Sequence, residues 1–426
     1  MLLKLWSNHT NRRRIVSIPP ALRRRVPDVG SLTELMKFKA PQFGTDARLA
    51  KASTIWDLRA MAKRRTPAAP FDYTDGAADR EITMNRSRQA FDHLEFNPEV
   101  LHDVSKVDLN TKIFGKTSSM PIGIGPTGFT RLMQSEGEYA GSAAAAAAGI
   151  PYTLSTLGTA SIDDVAAHAP TARRWFQLYA TRDVESNLAL IQRAAAAGND
   201  TIILTVDTAV GGMRLRDVRN GMTIPPQLTL KTIVNASYRP AWWFNFLTRS
   251  PLEFSSLSSF DGTVSELLSN TFNTGLNYQD LDWLRANWHG NLLVKGVQSV
   301  TDAQKAIDHG ADGVVLSNHG GRQLDRAPLP FHLIPKVRAT VGTEATIMMD
   351  TGIMCGGDII AAIASGADFT LIGRAYLYGL MAGGQRGVAR SLEILRTEMV
   401  RTMTLLGVTK ISDLNPDHVN QRADSI

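Results

Sequence analysis

The sequence predicts an α/β protein, a (β/α)8 TIM barrel with an N-terminal helical cover and a long insertion after strand 4. Three observations predict it. Eight short apolar runs rich in β-branched residues lie between residues 121 and 375, an alanine-rich or amphipathic stretch of helical period follows each, and polar and glycine residues gather at the C-terminal end of nearly every run. Continuously apolar strands that alternate with helices belong to a parallel sheet, and eight such units in roughly 250 residues match the barrel. An open doubly wound sheet is the rival. The clustering of polar residues at the strand ends, where barrel enzymes build their sites, favours the barrel.

The chain opens on a basic stretch. Residues 1–40 hold nine Lys or Arg against two acids, so the total charge of +6 leaves about −1 for the remaining chain. The body is therefore not basic, and no nucleic-acid partner is expected. Residues 1–45, with Arg12-Arg13-Arg14 and Arg23-Arg24-Arg25, read as a flexible solvated segment, with a membrane-surface anchor or targeting peptide as alternatives. No apolar run reaches the roughly eighteen residues needed to cross a bilayer, and no secretory pattern is visible, so a cytoplasmic location is expected. The single cysteine, Cys355, excludes an intramolecular disulfide and cysteine-rich metal sites.

Next comes the cover. Thr54, with Asp57 three residues on, predicts a helix start, and the apolar pattern continues through Leu58 and Met61. Pro67 and Pro70 are expected to break the chain before Phe71–Ala78, after which a charged helical pattern leads to Phe91. The eight strand runs are 121–126, 150–156, 175–180, 201–207, 291–297, 313–320, 345–352 and 369–375. Between the fourth and fifth, residues 208–290 number 83, far beyond an ordinary βα connection, and hold four of the seven tryptophans. Trp242-Trp243-Phe244 there either packs as part of a subdomain, the favoured reading, or exposes an aromatic surface. The barrel domain spans 46–414, and 415–426 is a C-terminal tail.

The chemistry-bearing residues sit at the strand ends. Ser317-Asn318-His319-Gly320-Gly321-Arg322 follows strand six, where a neutral His can take a proton from a hydroxyl or α-carbon while Arg clamps a carboxylate. Strand four ends in Thr205-Val206-Asp207, with Arg214 beyond it; Asp207 can orient His319, and Arg214 can be a second carboxylate ligand. Two arginines point to an anionic substrate. Strand five ends on the cation Lys295, and strand eight ends on Gly373-Arg374 before a helix, which suits a phosphorylated cofactor.

These residues resemble the FMN-dependent L-2-hydroxy-acid dehydrogenases and oxidases, from about Thr54 to Leu414, with the specific run Ser317–Asp325. Within that family the chain is most similar to actinobacterial flavin-type L-lactate dehydrogenases. The resemblance implies FMN as cofactor, a small L-2-hydroxy acid such as L-lactate as substrate, and a homo-oligomer of tetramer type. It makes His319 the catalytic base, Asp207 its partner, Arg214 and Arg322 the carboxylate ligands, and Tyr73 and Tyr179 the substrate tyrosines. Pro126-Thr127-Gly128 resembles the loop beside the flavin N5 edge. Ser155, Gln177, Thr205 and Ser317 resemble ring contacts, and Lys295 resembles the lysine at the N1/O2 side. Asp350-Thr351-Gly352 and Gly373-Arg374 resemble the ribityl and phosphate contacts.

The sequence departs from the family at one cation. Many members carry an arginine pair after the strand-seven aspartate, where this chain has Met354-Cys355. FMN is then expected to be held more weakly, or through backbone NH groups and Arg374 alone, and Cys355, without a basic neighbour, to be inert. Gly128 resembles the dehydrogenases, since several oxidases have alanine there. The reduced flavin is accordingly expected to pass electrons to a quinone or a cytochrome, with oxygen as the oxidase alternative. The aromatic cluster of the insertion resembles the contact loop of membrane-associated members, which implies a peripheral location on the membrane. From a different class, a catalytically inactive barrel serving as an interaction protein would explain the missing cation but not the intact His319, Asp207, Arg214 and Arg322.

Overall fold

The computed structural model describes residues 43–220, 237–249 and 273–422, with Arg23, Val26 and Gly30. Met1–Phe43 and Gly44–Ile426 are separate compact units, and the second is described below. The basic segment lies almost wholly outside the described residues, as do large parts of the insertion.

The eight predicted runs form eight parallel strands: Ile122–Ile124, Tyr152–Ser155, Arg174–Leu178, Thr201–Thr205, Asn291–Val297, Gly313–Leu316, Thr346–Met349 and Phe369–Ile372. Each pairs with its sequence neighbours, and the eighth closes on the first through Thr370 opposite Ile122. The chain is therefore a closed TIM barrel. Both faces of nearly every strand are buried, which explains why the strands read as apolar runs rather than as alternating patterns. One periodicity feeds the barrel interior, where Trp175, Ile203, Leu293, Val315, Met348 and Phe369 pack together. The other feeds the shell between strands and helices.

A hairpin, Thr111–Ile113 with Lys116–Ser118, seals the N-terminal end. Ile113 joins the inner cluster, and Phe114 at its turn meets Trp175 edge-on at 6.3 Å. The bottom of the barrel is thus filled with side chains, and the barrel opens to a ligand at its C-terminal mouth.

The cover begins as predicted, at a helix Ile55–Arg65 whose Thr54 and Asp57 form a capping box. The next expectation fails. Pro67 and Pro70 do not break the chain before Phe71; they open a helix, Ala68–Asp75, as its N-cap and first-turn residues. A proline there loses nothing, because first-turn NH groups have no partner within the helix. A third helix, Ile82–Asp92, completes the cover.

Two further corrections concern strand five and the insertion. Lys295 does not end its strand; it pairs with Thr205 and Val315, and the strand continues past an irregularity to Val297. Trp283 and Trp288 belong to the ordinary barrel helix Tyr278–Asn287 and its cap, and only Trp242 and Trp243 form the aromatic feature of the insertion. The helix Pro240–Leu247 splits its residues between faces. Trp242 stacks on Phe246 at 4.9 Å and donates its indole N–H to the Leu132 carbonyl, while Phe244 and Leu247 are 69% and 68% exposed. Packing and exposure therefore coexist on one helix. Of the residues after Leu414, Val419–Gln421 pair antiparallel with Leu94–Phe96.

Candidate active site

A cavity of about 540 Å³ opens at the C-terminal mouth of the barrel, roofed by the cover. That size suits a cofactor-sized ligand. Fifteen of the nineteen residues singled out in the sequence line it, among them Tyr73, Gly128, Tyr179, Arg214, Lys295 and His319. Asp207, Gln177, Thr205 and Ser317 stand just behind, their side chains buried.

His319 lies on a short 3-10 turn with φ 57°, followed by Gly320 at 65° and Gly321 at 75°. Left-handed backbone at a non-glycine residue is costly unless its surroundings hold it. Here the Ser317 hydroxyl accepts from the His319 backbone N–H, and the Asn318 carboxamide accepts from Gly321. The strain turns the imidazole so that Nδ1 sits 3.0 Å from Oδ1 of Asp207. Burial opposes ionisation of Asp207, but His319 and then Lys295 hold its carboxyl below the usual range. With Nδ1–H committed to Asp207, Nε2 is the nitrogen left to accept a proton.

Arg322 is half-buried. Burial first, and then Arg214, push its guanidinium down to about 10, still protonated at neutral pH. A carboxylate beside these two cations relieves both costs. The Tyr73 ring lies over both, 4.6 Å from the Arg322 guanidinium carbon and 5.6 Å from that of Arg214. Arg322 also donates to the carbonyl of Tyr73, so the same cation positions the cover helix. Arg214 rests on Asp217 at 3.0 Å. Asp217 was not foreseen from the sequence; burial raises its pKa, only partly offset by Arg322 and Arg214.

Toward the barrel centre, Lys295 is 3% exposed, with Nζ 3.2 Å from Asp350 and 3.1 Å from the Ser317 hydroxyl. Burial disfavours its charge, but Asp350 and Asp207 raise its pKa overall, so the cation is fixed in place. Ser155 donates to the Gln177 side-chain Oε1 at 2.8 Å, and Gln177 Nε2 is buried without a protein partner. Thr205 Oγ1 is buried and unpartnered too. Buried polar atoms are nearly always satisfied, and these suit a flat ring with hydrogen-bonding edges. At the other end a Cβ on Gly373 would meet nothing within 4 Å, and a helix begins at Arg374. The residues present therefore fit FMN, with ring groups at Gln177, Thr205 and Lys295 and a phosphate end at a helix N-terminus.

The phosphate end differs from expectation in two respects. The backbone N–H groups of Met354 and Cys355 are both spent on Asp358, and Arg374 donates to the carbonyls of Thr74, Gly76 and Gly320. Those two backbone N–H groups are thus not free for a phosphate. A cation is nevertheless present. Arg88, from the cover helix, lines the cavity, donates to the Gly352 carbonyl at 2.8 Å and forks onto Asp358. Its contribution lies some 260 residues from the loop it serves, beyond any local signal. Burial and then Asp358 push the Cys355 thiol up to about 12, which disfavours the thiolate.

Arg216 and Arg59 were also missed. Both grip Asp75, which is buried at the end of the helix carrying Tyr73, and Arg216 reaches Glu81 as well.

Comparisons with known proteins agree with this geometry. Residues 62–421 match the family model described as FMN-dependent dehydrogenase. A Mycobacterium tuberculosis protein provisionally named L-lactate dehydrogenase is 56% identical over 402 residues, covering 94% of this chain and 97% of its own. L-lactate dehydrogenase of Serratia proteamaculans is 37% identical, covering 88% and 99%. Among solved structures, the monotopic membrane protein (S)-mandelate dehydrogenase superposes with a TM-score of 0.84 at 36% identity, covering 87% and 100%. A mandelate oxidase superposes at 0.76 with 32% identity, covering 87% and 99%. With a family model spanning most of the barrel and relatives matched over nearly their whole length, the chain belongs to the FMN-dependent dehydrogenase family, oxidoreductases that use FMN.

Proposed function

We propose that the protein oxidises a small L-2-hydroxy acid, L-lactate to pyruvate, and passes the electrons to a quinone or cytochrome. The observation that carries this reading is the His319–Asp207 pair set beside two half-buried arginines, Arg322 and Arg214. Arg322 and Arg214 hold the substrate carboxylate, and Tyr73 and Tyr179 flank it. His319 Nε2 takes the substrate proton, and Asp207 stabilises the imidazolium that results. The cover and the hydrophobic loop residues Leu157 and Phe129 restrict water. Oxidation to the 2-oxo acid releases two electrons, and bound FMN supplies their acceptor. Lys295 would hold a fixed positive charge toward the bound cofactor.

Lactate is preferred because the most similar relatives named above carry that name, against mandelate for the structural neighbours. Gly128 favours a dehydrogenase over an oxidase by its resemblance to the family's dehydrogenases, and a Cβ there would be crowded at 3.0 Å from the Leu157 backbone oxygen. Anaerobic bleaching of the bound flavin by glycolate, L-lactate, longer 2-hydroxy acids and L-mandelate tests the substrate, and mixing the reduced protein with oxygen or a quinone tests the acceptor. Failure of every 2-hydroxy acid to bleach the flavin would sink the reading.

A membrane-surface location accompanies this function. Among the described residues no helix is long and apolar enough to cross a membrane. The helix Pro240–Leu247 instead presents Phe244 and Leu247 outward, and a relative is named as monotopic. Phe244→Ser with Leu247→Ser is expected to abolish pelleting with vesicles while FMN stays bound; unchanged pelleting would refute the location.

A further inference from the structure

A second cavity, of about 180 Å³, lies beneath the helix Pro240–Leu247, outside the active site. One wall is the break in the long C-terminal helix at Gly383-Gly384, where φ turns to 62° at Gly384. Trp242 and Phe246 form the side toward the insertion, and Arg48, Arg65, Arg131 and Arg386 line the rest. Among the described residues the lining holds one carboxylate, Glu136, and it is already engaged. Its Oε2 accepts from Gln385 N at 2.8 Å, and its Oε1 accepts from the Gln134 side chain. Asp46 meets Arg386 from outside the lining at 3.1 Å.

Arg386 is largely exposed at the cavity's mouth, while Arg48, Arg65 and Arg131 are partly buried in its lining. Arg48 is held by the Ala382 carbonyl and has a buried Nε without a partner. Burial first, then the charges of Arg65 and Arg386, pull its guanidinium below its ordinary value. Cations that repel one another in a partly buried cavity cost free energy that an anion would recover. The space is too small for a second cofactor but large enough for a phosphate.

We propose that this cavity binds the phosphate headgroup of an anionic phospholipid, with Phe244 and Leu247 of the overlying helix set into the adjoining apolar layer. Arginine forks match phosphate oxygens, and an amphipathic helix with aromatic residues lies at the depth where headgroups are found. The inference rests on the membrane location proposed above and supplies it with a lipid specificity.

The FMN-loaded full chain is tested by co-sedimentation with vesicles of phosphatidylcholine alone and with phosphatidylglycerol added. Wild type should prefer the anionic vesicles. Arg65→Gln with Arg386→Gln should lower anionic binding by roughly tenfold or more and leave neutral binding and FMN content unchanged. Lys63→Gln with Arg249→Gln, exposed cations near the same helix but outside the cavity, should retain the preference. Equal loss in both pairs would mean diffuse attraction and overturn the cavity, as would no loss in either. If wild type pellets with neither vesicle, the membrane location itself fails, and this inference with it. Protection from thermal unfolding by inorganic phosphate without vesicle binding would mark a soluble-anion site and overturn the lipid source.

Discussion

Asp207 and His319 are 112 residues apart and meet with Oδ1 3.0 Å from Nδ1, while Asp207 Oδ2 is buried without a partner. The pair fixes which imidazole nitrogen faces the cavity. His319→Gln is expected to keep FMN and to slow anaerobic flavin reduction by about 10²-fold or more. Asp207→Asn should slow it as well, by loss of the charge that stabilises the imidazolium. Stopped-flow flavin absorbance reads both, and near-normal reduction in His319→Gln would remove it as the base.

Arg322 has two tasks, so its variants should separate. Arg322→Lys keeps a positive charge but loses the fork, and Arg322→Met loses both. Each should raise the concentration of 2-hydroxy acid needed for half-maximal flavin reduction, Met more than Lys. Met should additionally loosen the cover through the lost bonds to the Tyr73 and Gly76 carbonyls, seen as faster proteolysis near residue 76. Equal affinity in wild type and Met variant would deny it the carboxylate.

Asp75 makes a pH prediction. Burial alone would raise its pKa, but Arg59, Tyr378 and Arg216 hold it below the usual carboxylate range. A carboxyl depressed in the folded state stabilises above its unfolded pKa of about 3.9 and loses that contribution as pH falls through the folded value. Asp75→Asn should therefore be less stable than wild type at neutral pH by on the order of 2 kcal/mol, kept modest by the partial exposure of Arg59 and Arg216. The gap should stay constant above about pH 5 and narrow below about pH 4. Denaturant melts across that range measure it; a gap that widened in acid would reverse the assignment.

Arg88 lines the cavity beside the loop that lacks the family arginine. Arg88→Met is expected to weaken FMN binding by about tenfold, the loss of one charge-assisted contact and of the tie to Gly352. Quenching of FMN fluorescence by apoprotein gives the dissociation constant directly. Unaltered affinity would leave Arg374 and the helix N-terminus as the whole phosphate site.

The sequence reading was most accurate where the signal is local. All eight barrel strands, the Thr54–Asp57 capping box and the loop Ser317–Asp325 follow from residues within a few positions of one another, because burial on both faces and cap chemistry act at that range. Pro67 and Pro70 were misread for a local reason as well: proline breaks a helix interior and tolerates a first turn, and the sequence alone did not say which it was.

By itself, then, the sequence determined the barrel and the set of groups around its mouth. Tertiary structure decided what those groups do to each other. Arg216 reaches Asp75 across 141 positions and Arg88 reaches Gly352 across 264, while Asp358 takes the two backbone N–H groups that otherwise would have been free for phosphate. Periodicity reports which face of an element is buried. It carries no information on which distant loops close over that face, and the charges of this site are set by those closures.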